Sequence, residues 1–245
     1  MNVAAIILAA GKGIRMNSDV PKVYHSICDK PLVAWVIEAA HKAGLRQNIY
    51  VVVGYKAELV REVCEKYDVN FVEQRQLLGT GHAVAQARDA LKDFKGIIVV
   101  LNGDVPLIQP RTIQNLIKFH QEKDASATVL TADLEEPNSY GRIVRDGGGN
   151  VINIIEQKDA NEEELKIKEI NAGTYCFNNQ DLFKVLPKLK DDNVQKEYYL
   201  TDVIGIFKSS GKPVYAFKTD NTFEVLGVNT KEDLSRLEEL CKGGV

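Results

Sequence analysis

The stretch IILAAGKGIRMNSDVPKVYH, residues 6–25, ends an apolar run in Gly11 and Gly13 and then supplies Lys12, Arg15 and Lys22. Glycine lets the backbone come close to a ligand, and amides with nearby cations suit phosphate oxygens. A Walker-type loop would need GxxxxGK followed by Ser or Thr, which these residues do not supply. A dinucleotide fingerprint would need a third glycine where Met16 stands. Two readings stay open from the residues alone: a loop whose amides hold a nucleoside triphosphate, with Arg15 and Lys22 on its phosphates, or a plain glycine-containing turn with exposed lysines.

A second candidate lies in VVLNGDVPL, where Asp104 falls just past the end of an apolar run. Open α/β sheets bind ligands there, and a carboxylate suits Mg²⁺, which takes oxygen ligands and shares them with phosphates. A turn-forming Asp would look the same. In EQRQLLGTGHA, Gln74 offers an amide whose donor and acceptor match the imide edge of uracil. Gly79 and Thr80 could equally be a loop and a helix cap. His82 then falls in a first helical turn, with a structural role expected.

These residues need a frame. NVAAIILA, NIYVVVG, VNFVEQ and GIIVVLNGD read as strands, the first and last continuously apolar as in a sheet covered on both faces. Between them, PLVAWVIEAAHKAG reads as a helix with Pro31 in its first turn, an apolar stripe of Leu32, Trp35, Val36, Ala39 and Ala40, and Gly44 as its cap. KAELVREVCEKY reads as a helix with Leu59, Val63 and Tyr67 on one face, and TGHAVAQARDAL as another. Strand and helix alternate, which implies an α/β fold with a mostly parallel, doubly wound, Rossmann-like sheet. The second half is less regular. A hairpin is expected across SYGRIVRDGGGNVINIIEQKDA, strands at EINAGTYCF and PVYAFKT, and helices at NQDLFKVLPKLK, EYYLTDVIGIFKSSG and TKEDLSRLEELC. In the last, Thr230 is the expected N-cap with Asp233 three residues on and Leu234, Leu237 and Leu240 inward. NEEEL reads as a solvated helix start.

The chain has 245 residues with 44% hydrophobic and 27% charged residues and a net charge of −3. That suits one large α/β domain and speaks against a general nucleic-acid binder. No signal peptide and no apolar run long enough to cross a membrane is visible, so a cytoplasmic location is expected. Cys28, Cys64, Cys176 and Cys241 form no CxxC, so neither a disulfide framework nor a zinc site is expected.

LAAGKGIRM followed by PKVYH, EQRQLLGTGHA, NGDVPL, YGRIV, IIEQKDA, EINAGTYCF, EYYLTD and LGVN, in that order, resembles the sugar-phosphate nucleotidyltransferases. Within them the match is to the uridylyltransferase domains that use N-acetylglucosamine 1-phosphate, and it covers almost the whole chain. The resemblance implies transfer of a uridylyl group from UTP to that sugar phosphate, giving UDP-N-acetylglucosamine and pyrophosphate with Mg²⁺. It implies a fold with a smaller β-rich sugar-binding lobe: about 1–110 for the nucleotide, about 111–229 for the sugar, and 230–245 as a C-terminal helix. The roles it carries over are Arg15 and Lys22 on the phosphates, and Leu8, Ala9, Ala10, Gly11, Gly13, Gln74, Gly79, Thr80, Asn102 and Gly103 at the nucleotide. Gly141, Glu156 and Asn171 would meet the sugar, and Asp104 and Asn229 the metal. A phosphate-oxygen nucleophile is already ionised near neutrality, so charge neutralisation and in-line positioning are needed and no general base is.

Three positions depart from the pattern: Ile14 where Thr is usual, Asn102 at a variable place, and Lys196 where Gly is usual. They leave the choice of sugar open, with another sugar 1-phosphate such as glucose 1-phosphate, used with a uridylyl or thymidylyl donor, as the alternative. A nucleotide-sugar-binding protein without chemistry is the rival from another class. No hexapeptide repeats follow, so neither acetyl transfer nor a trimer is expected, and the oligomeric state is open.

Overall fold

A computed structural model describes residues 2–243. Its strands are β1 (Asn2–Ala9), β2 (Ser26–Ile27), β3 (Lys30–Pro31), β4 (Ile49–Val53), β5 (Asn70–Glu73), β6 (Gly96–Asn102), β7 (Ala127–Asp133), β8 (Arg142–Arg145), β9 (Val151–Ile155), β10 (Glu169–Asn178) and β11 (Val214–Lys218). Its helices are α1 (Leu32–Lys42), α2 (Ala57–Cys64), α3 (Thr80–Ala85), α4 (Pro110–Glu122), α5 (Glu162–Leu165), α6 (Asn179–Val185), α7 (Asp202–Ser209) and α8 (Lys231–Lys242). A nine-stranded sheet runs in the order β11-β7-β10-β6-β1-β4-β5, with the β8–β9 hairpin paired to β10. β1 is parallel to β4 and β6, and β4 to β5, whereas β10 lies antiparallel to both β6 and β7. The sheet is therefore mixed but mostly parallel, as expected.

β1 is apolar from Val3 to Ala9 because both its faces are covered there. Ala5, Ile7 and Ala9 enter the core shared with α1, α2 and α4, and Ala4 and Ile6 enter the core shared with α3, α6 and α7. Each fully buried Val, Leu, Ile or Phe contributes about 1.5–3 kcal/mol. A third cluster, Met16, Ile27, Leu32, Leu107, Val228 and Leu237, fastens the loop after β1 and helix α8 to the body. The chain leaves β1 toward β4 and β5, then crosses back to β6 on the other side. That reversal opens a crevice at the carboxyl ends of β1 and β6.

The structure corrects several local expectations. α1 begins at Leu32, with Pro31 before it in β3. α2 buries Val60 and Cys64 completely, while Leu59, Val63 and Tyr67 are half-buried. The apolar stripe is two residues wide, and sequence spacing could not say which edge faces inward. α7 starts at Asp202, not Glu197. The preceding EYYL stays extended because the Tyr198 N–H donates to Leu78 O and its carbonyl accepts from the Gly81 N–H, both at 2.8 Å. α4 and β7 were assigned no element from sequence. α8 has the expected capping box between Thr230 and Asp233, with only Leu237 of its three leucines fully buried. Gly244 and Val245, the end of the expected C-terminal helix segment, lie outside the described residues.

Cysteine was also misread. Cys28 and Cys241 form a disulfide across a sequence separation of 213, with Cα atoms 6.6 Å apart. Packing of α8 against the β2–β3 hairpin brings them together, and the Cys28 N–H donates to Glu238 Oε2 at 2.7 Å. Rules based on local spacing do not see such a pair. Cys64 and Cys176 are buried thiols, as expected, and burial pushes Cys64 up to about 12.

Candidate active site

The loop after β1 crosses the crevice in two tight turns. Gly13 has φ +70°, and a Cβ there would lie 2.6 Å from Lys22 Cβ, so only glycine lets the loop fold back on its own lysine. At Gly11 a Cβ would meet nothing within 4 Å, so the steric demand falls on Gly13. The Gly103 N–H donates to Leu8 O at 2.9 Å, which pins the turn after β6 to the end of β1. Leu8 is half-buried, Ala9 and Ala10 are buried, and Gly11 is exposed.

Four side chains from three chain segments meet here. Lys22 Nζ forms an ion pair with Asp104 Oδ2 and donates to Asn229 Oδ1 at 3.1 Å. Arg15 Nη2 donates to the same Asn229 oxygen at 2.9 Å. Asn229 is placed by the α8 cap: its N–H donates to Asp233 Oδ2 at 2.8 Å. The Val228 N–H donates to Asp104 O at 2.9 Å, which ties the LGVN segment to the turn after β6. Asp104 and Asn229 thus present two hard oxygens to one cationic nitrogen. That donor set, a carboxylate and an amide carbonyl around one small cation, fits Mg²⁺. Among the described residues no group of three or more His, Cys, Asp and Glu could hold a metal.

Gln74, Gly79 and Thr80 form a separate group. Gln74 is buried, and its amide nitrogen donates to Gly79 O and to His82 Nδ1, each at 3.0 Å. Burial holds the His82 pKa below its ordinary value, against a backbone hydrogen bond to Gln76, which favours a neutral ring with one accepting nitrogen. The Gln74 Oε1 is left to accept from a ligand. Gly79 has φ +105°, and a Cβ there would lie 2.7 Å from Tyr198 O and 2.8 Å from Tyr198 N. Thr80 Oγ1 accepts from the Leu200 N–H at 3.0 Å, so it fixes the EYYL segment to this loop.

Gly141, Glu156 and Asn171 form a third group. The Asn171 N–H donates to Gly141 O at 2.9 Å, and its side-chain Oδ1 accepts from the Gly173 N–H at 2.9 Å. A Cβ on Gly141 would lie 3.5 Å from Glu156 Oε2. Glu156 Oε1 accepts from Thr201 Oγ1 at 3.1 Å. Burial raises the Glu156 pKa above its ordinary value; the Thr201 bond opposes this, and Asp202, Asp159 and Glu197 add to it. Asn102 reaches from the end of β6 to Gly173, where a Cβ would lie 2.1 Å from its Nδ2. It joins β6 to β10.

Sequence reasoning missed Tyr140. The hydroxyl of this half-buried residue accepts from the Gly227 N–H at 2.9 Å and faces Val225 O at 3.5 Å, linking the segment before Gly141 to the one that carries Asn229. Its place directly before Gly141 was the available signal. Arg142 braces the same turn, with its guanidinium donating to the carbonyls of Tyr140 and Asn138. A cavity of about 530 Å³ borders Asn229, lined by Tyr140, Gly227, Asp233 and Arg236 among others, and excludes Arg15, Lys22 and Asp104. Another, of about 480 Å³, lies at the opposite end of the sheet around Asn2, Gly44 and Asn48.

The sequence profile described as nucleotidyl transferase matches residues 4–228. The chain belongs to the nucleotidyl transferase family. It is 49% identical over 244 residues to the bifunctional protein GlmU of Bacillus cereus (strain AH187), covering 100% of this chain and 53% of that one. The GlmU proteins of Bacillus thuringiensis (strain Al Hakam) and Bacillus anthracis (strain CDC 684 / NRRL 3495) match with the same identity and coverage. The chain therefore spans about half the length of the curated relatives it matches. Among solved structures, a UDP-glucose pyrophosphorylase complexed with UDP-glucose superposes with a TM-score of 0.79 at 20% identity, each chain covered completely. That likeness establishes a shared fold, the one expected from the sequence.

Proposed function

We propose that this chain transfers a uridylyl group from UTP to N-acetylglucosamine 1-phosphate, releasing pyrophosphate and UDP-N-acetylglucosamine, in the cytoplasm. The observation that carries this reading is the convergence of Arg15, Lys22, Asp104 and Asn229 at the carboxyl ends of β1 and β6. Two side-chain cations and one carboxylate leave this end of the crevice positive, which suits a triphosphate. The 49% identity across the whole chain to proteins named GlmU supports the same reading.

The roles are those that the family resemblance implies, and the chemistry of the side chains suits them. Arg15 and Lys22 neutralise the charge of the triphosphate as pyrophosphate leaves. The attacking sugar-phosphate oxygen is ionised near neutral pH, so no residue need take a proton. Gln74 and the Gly79 backbone meet the uracil edge, and Leu8 to Gly11, Gly13, Asn102 and Gly103 line the nucleotide. Gly141, Glu156 and Asn171 hold the sugar, Glu156 by accepting from hydroxyls and Asn171 at the acetamido group. Asp104 and Asn229 would hold Mg²⁺, which supplies Lewis-acid stabilisation of charge on the phosphates. Among the described residues no helix is long and apolar enough to cross a membrane.

The test is pyrophosphate release from UTP and Mg²⁺ with N-acetylglucosamine 1-phosphate, glucose 1-phosphate or no sugar. Release selective for the amino sugar is expected. Equal or better use of glucose 1-phosphate would change the assigned substrate. No release with either sugar, from folded protein that binds UTP, would reduce the chain to a binding protein.

A further inference from the structure

The Asn229 amide oxygen has two lone pairs, and both are taken: one by Arg15 Nη2 at 2.9 Å, the other by Lys22 Nζ at 3.1 Å. The same Lys22 nitrogen is paired with Asp104 Oδ2. Lys22 and Asp104 are mostly buried, with side-chain exposures of 17% and 16%, so the pair is not a loose surface contact screened by water. The Asn229 N–H donates to Asp233 Oδ2, which fixes the backbone from which this side chain reaches Arg15 and Lys22. In this state the Asn229 oxygen and one of the two Asp104 carboxylate oxygens are committed to protein cations, with the Lys22 ammonium held between the two proposed ligands.

We propose that Lys22 is a resident counter-ion of the divalent-metal site, and that it must leave Asp104 and Asn229 before a metal ion can be held there. The inference rests on the reading of Asp104 and Asn229 as metal ligands. A triphosphate is the partner able to draw Lys22 away, because it offers several anionic oxygens against one carboxylate and one amide oxygen. Lys22 and Arg15 then exchange one set of oxygens for another, and the freed Asp104 and Asn229 oxygens take up the cation that accompanies the nucleotide. Charge stays nearly balanced throughout, so neither the carboxylate nor the two cations is stranded in the crevice. The consequence is linkage: the nucleotide-free protein holds metal weakly, and nucleotide and metal enter together.

The experiment is a titration of Mn²⁺ into the nucleotide-free protein, with free metal read by electron paramagnetic resonance. Wild type is expected to bind weakly and Lys22→Gln at least about tenfold more tightly. Lys12→Gln removes the same charge from the same loop without freeing an oxygen, since the Lys12 ammonium lies 5.3 Å from the Tyr55 ring centroid; it should stay within about twofold of wild type. Adding Asp104→Asn to Lys22→Gln should return binding to the weak level. Equal affinities in wild type and Lys22→Gln would overturn the proposal. So would tightening by Lys12→Gln as large as by Lys22→Gln, or binding that survives loss of Asp104. Circular dichroism checks each fold, and Lys22→Met replaces a Gln variant that does not fold. UDP-sugar synthesis by wild type, measured alongside, separates the two readings: its absence would sink the transferase assignment without touching the Lys22 result.

Discussion

The end of the crevice proposed for the phosphates and the end proposed for the sugar are held in opposite ways. At the phosphate end, charged side chains from distant segments hold one another: Lys22 on Asp104 and Asn229, Arg15 on Asn229. At the sugar end, the backbone does the holding. Asn171 is fixed to Gly141 through main-chain atoms, beside an irregularity in the pairing of β10 with β7 between Asn171 and Tyr175. Its one charged member, Glu156, lies among like charges and near no cation among those that shift its pKa. The first arrangement is built to be rearranged by an incoming polyanion. The second is a fixed template whose one adjustable feature is a proton.

The two ends should therefore fail differently. Asp104→Ala is expected to have the largest effect, a loss of turnover of at least about a thousandfold, because a metal ligand is worth several kcal/mol. Asp104 fills no core volume, so the melting temperature should hold within a few degrees. Retained turnover in that variant would remove Asp104 from the metal. Next in size is the Cys28–Cys241 link, which fastens α8, and hence the Asn229 cap, to the β2–β3 hairpin. Reduction or Cys28→Ser should cost about 2–4 kcal/mol of stability, seen as a fall of roughly 4–16 °C in melting temperature. If the comparison is right, the nucleotide KM should rise in the reduced protein while the sugar-phosphate KM holds.

Glu156→Gln tests the sugar end, with an expected rise in sugar-phosphate KM of about tenfold to a hundredfold from one lost charge-assisted hydrogen bond. Its pH signature is more diagnostic. The folded carboxyl titrates above its ordinary value, so it takes up a proton where an exposed carboxylate stays ionised. Wild-type sugar affinity should fall as pH drops through that raised value, and Glu156→Gln should lose this acid limb. The linkage has a definite sign. The folded state holds the proton more tightly than the unfolded state, so stability declines as pH rises from the unfolded to the folded pKa. The Gln variant should escape that decline. A sugar KM that follows the wild-type pH course in Glu156→Gln would place the titrating group elsewhere.

What the sequence made legible follows the same divide. The loop after β1 could be picked out as a candidate because its signal is local: two glycines and three cations within a dozen residues, after an apolar strand. β1 was legible for the same reason, since burial on both faces leaves an unbroken apolar run. Asn229 carried no local signal and came only from the resemblance of LGVN. The Cys28–Cys241 pair joins distant segments through the packing of α8, which no spacing rule anticipates. α4 had clear signs that went unassigned, with Pro110 at its start and Ile113 and Leu116 in its core stripe. The extended course of EYYL could not be read because it depends on Leu78 and Gly81, which lie more than a hundred residues earlier.

Tyr140 belongs to neither end, which makes it the finest probe of how separate they are. Its hydroxyl accepts from the Gly227 N–H, two residues before Asn229, while its backbone leads directly into Gly141. Tyr140→Phe keeps the half-buried ring in place and removes the hydroxyl alone, with its acceptance from Gly227 and its long donation to Val225 O, leaving the Gly227 N–H to find water or stay unpaired. The cost is about 1 kcal/mol, or roughly fivefold in kcat/KM. If the ends act independently, the loss should fall on the half-saturating metal concentration alone, because Asn229 is loosened and Gly141 is not. If the tyrosine couples them, saturating sugar phosphate should tighten metal binding in wild type and cease to do so in Tyr140→Phe. That coupling is a ratio of two affinities measured on the same protein, so a general loss of stability would cancel from it. A ratio unchanged by the substitution would mean that the hydroxyl only holds the turn, and that the charged end and the backbone-built end communicate through the substrates they share.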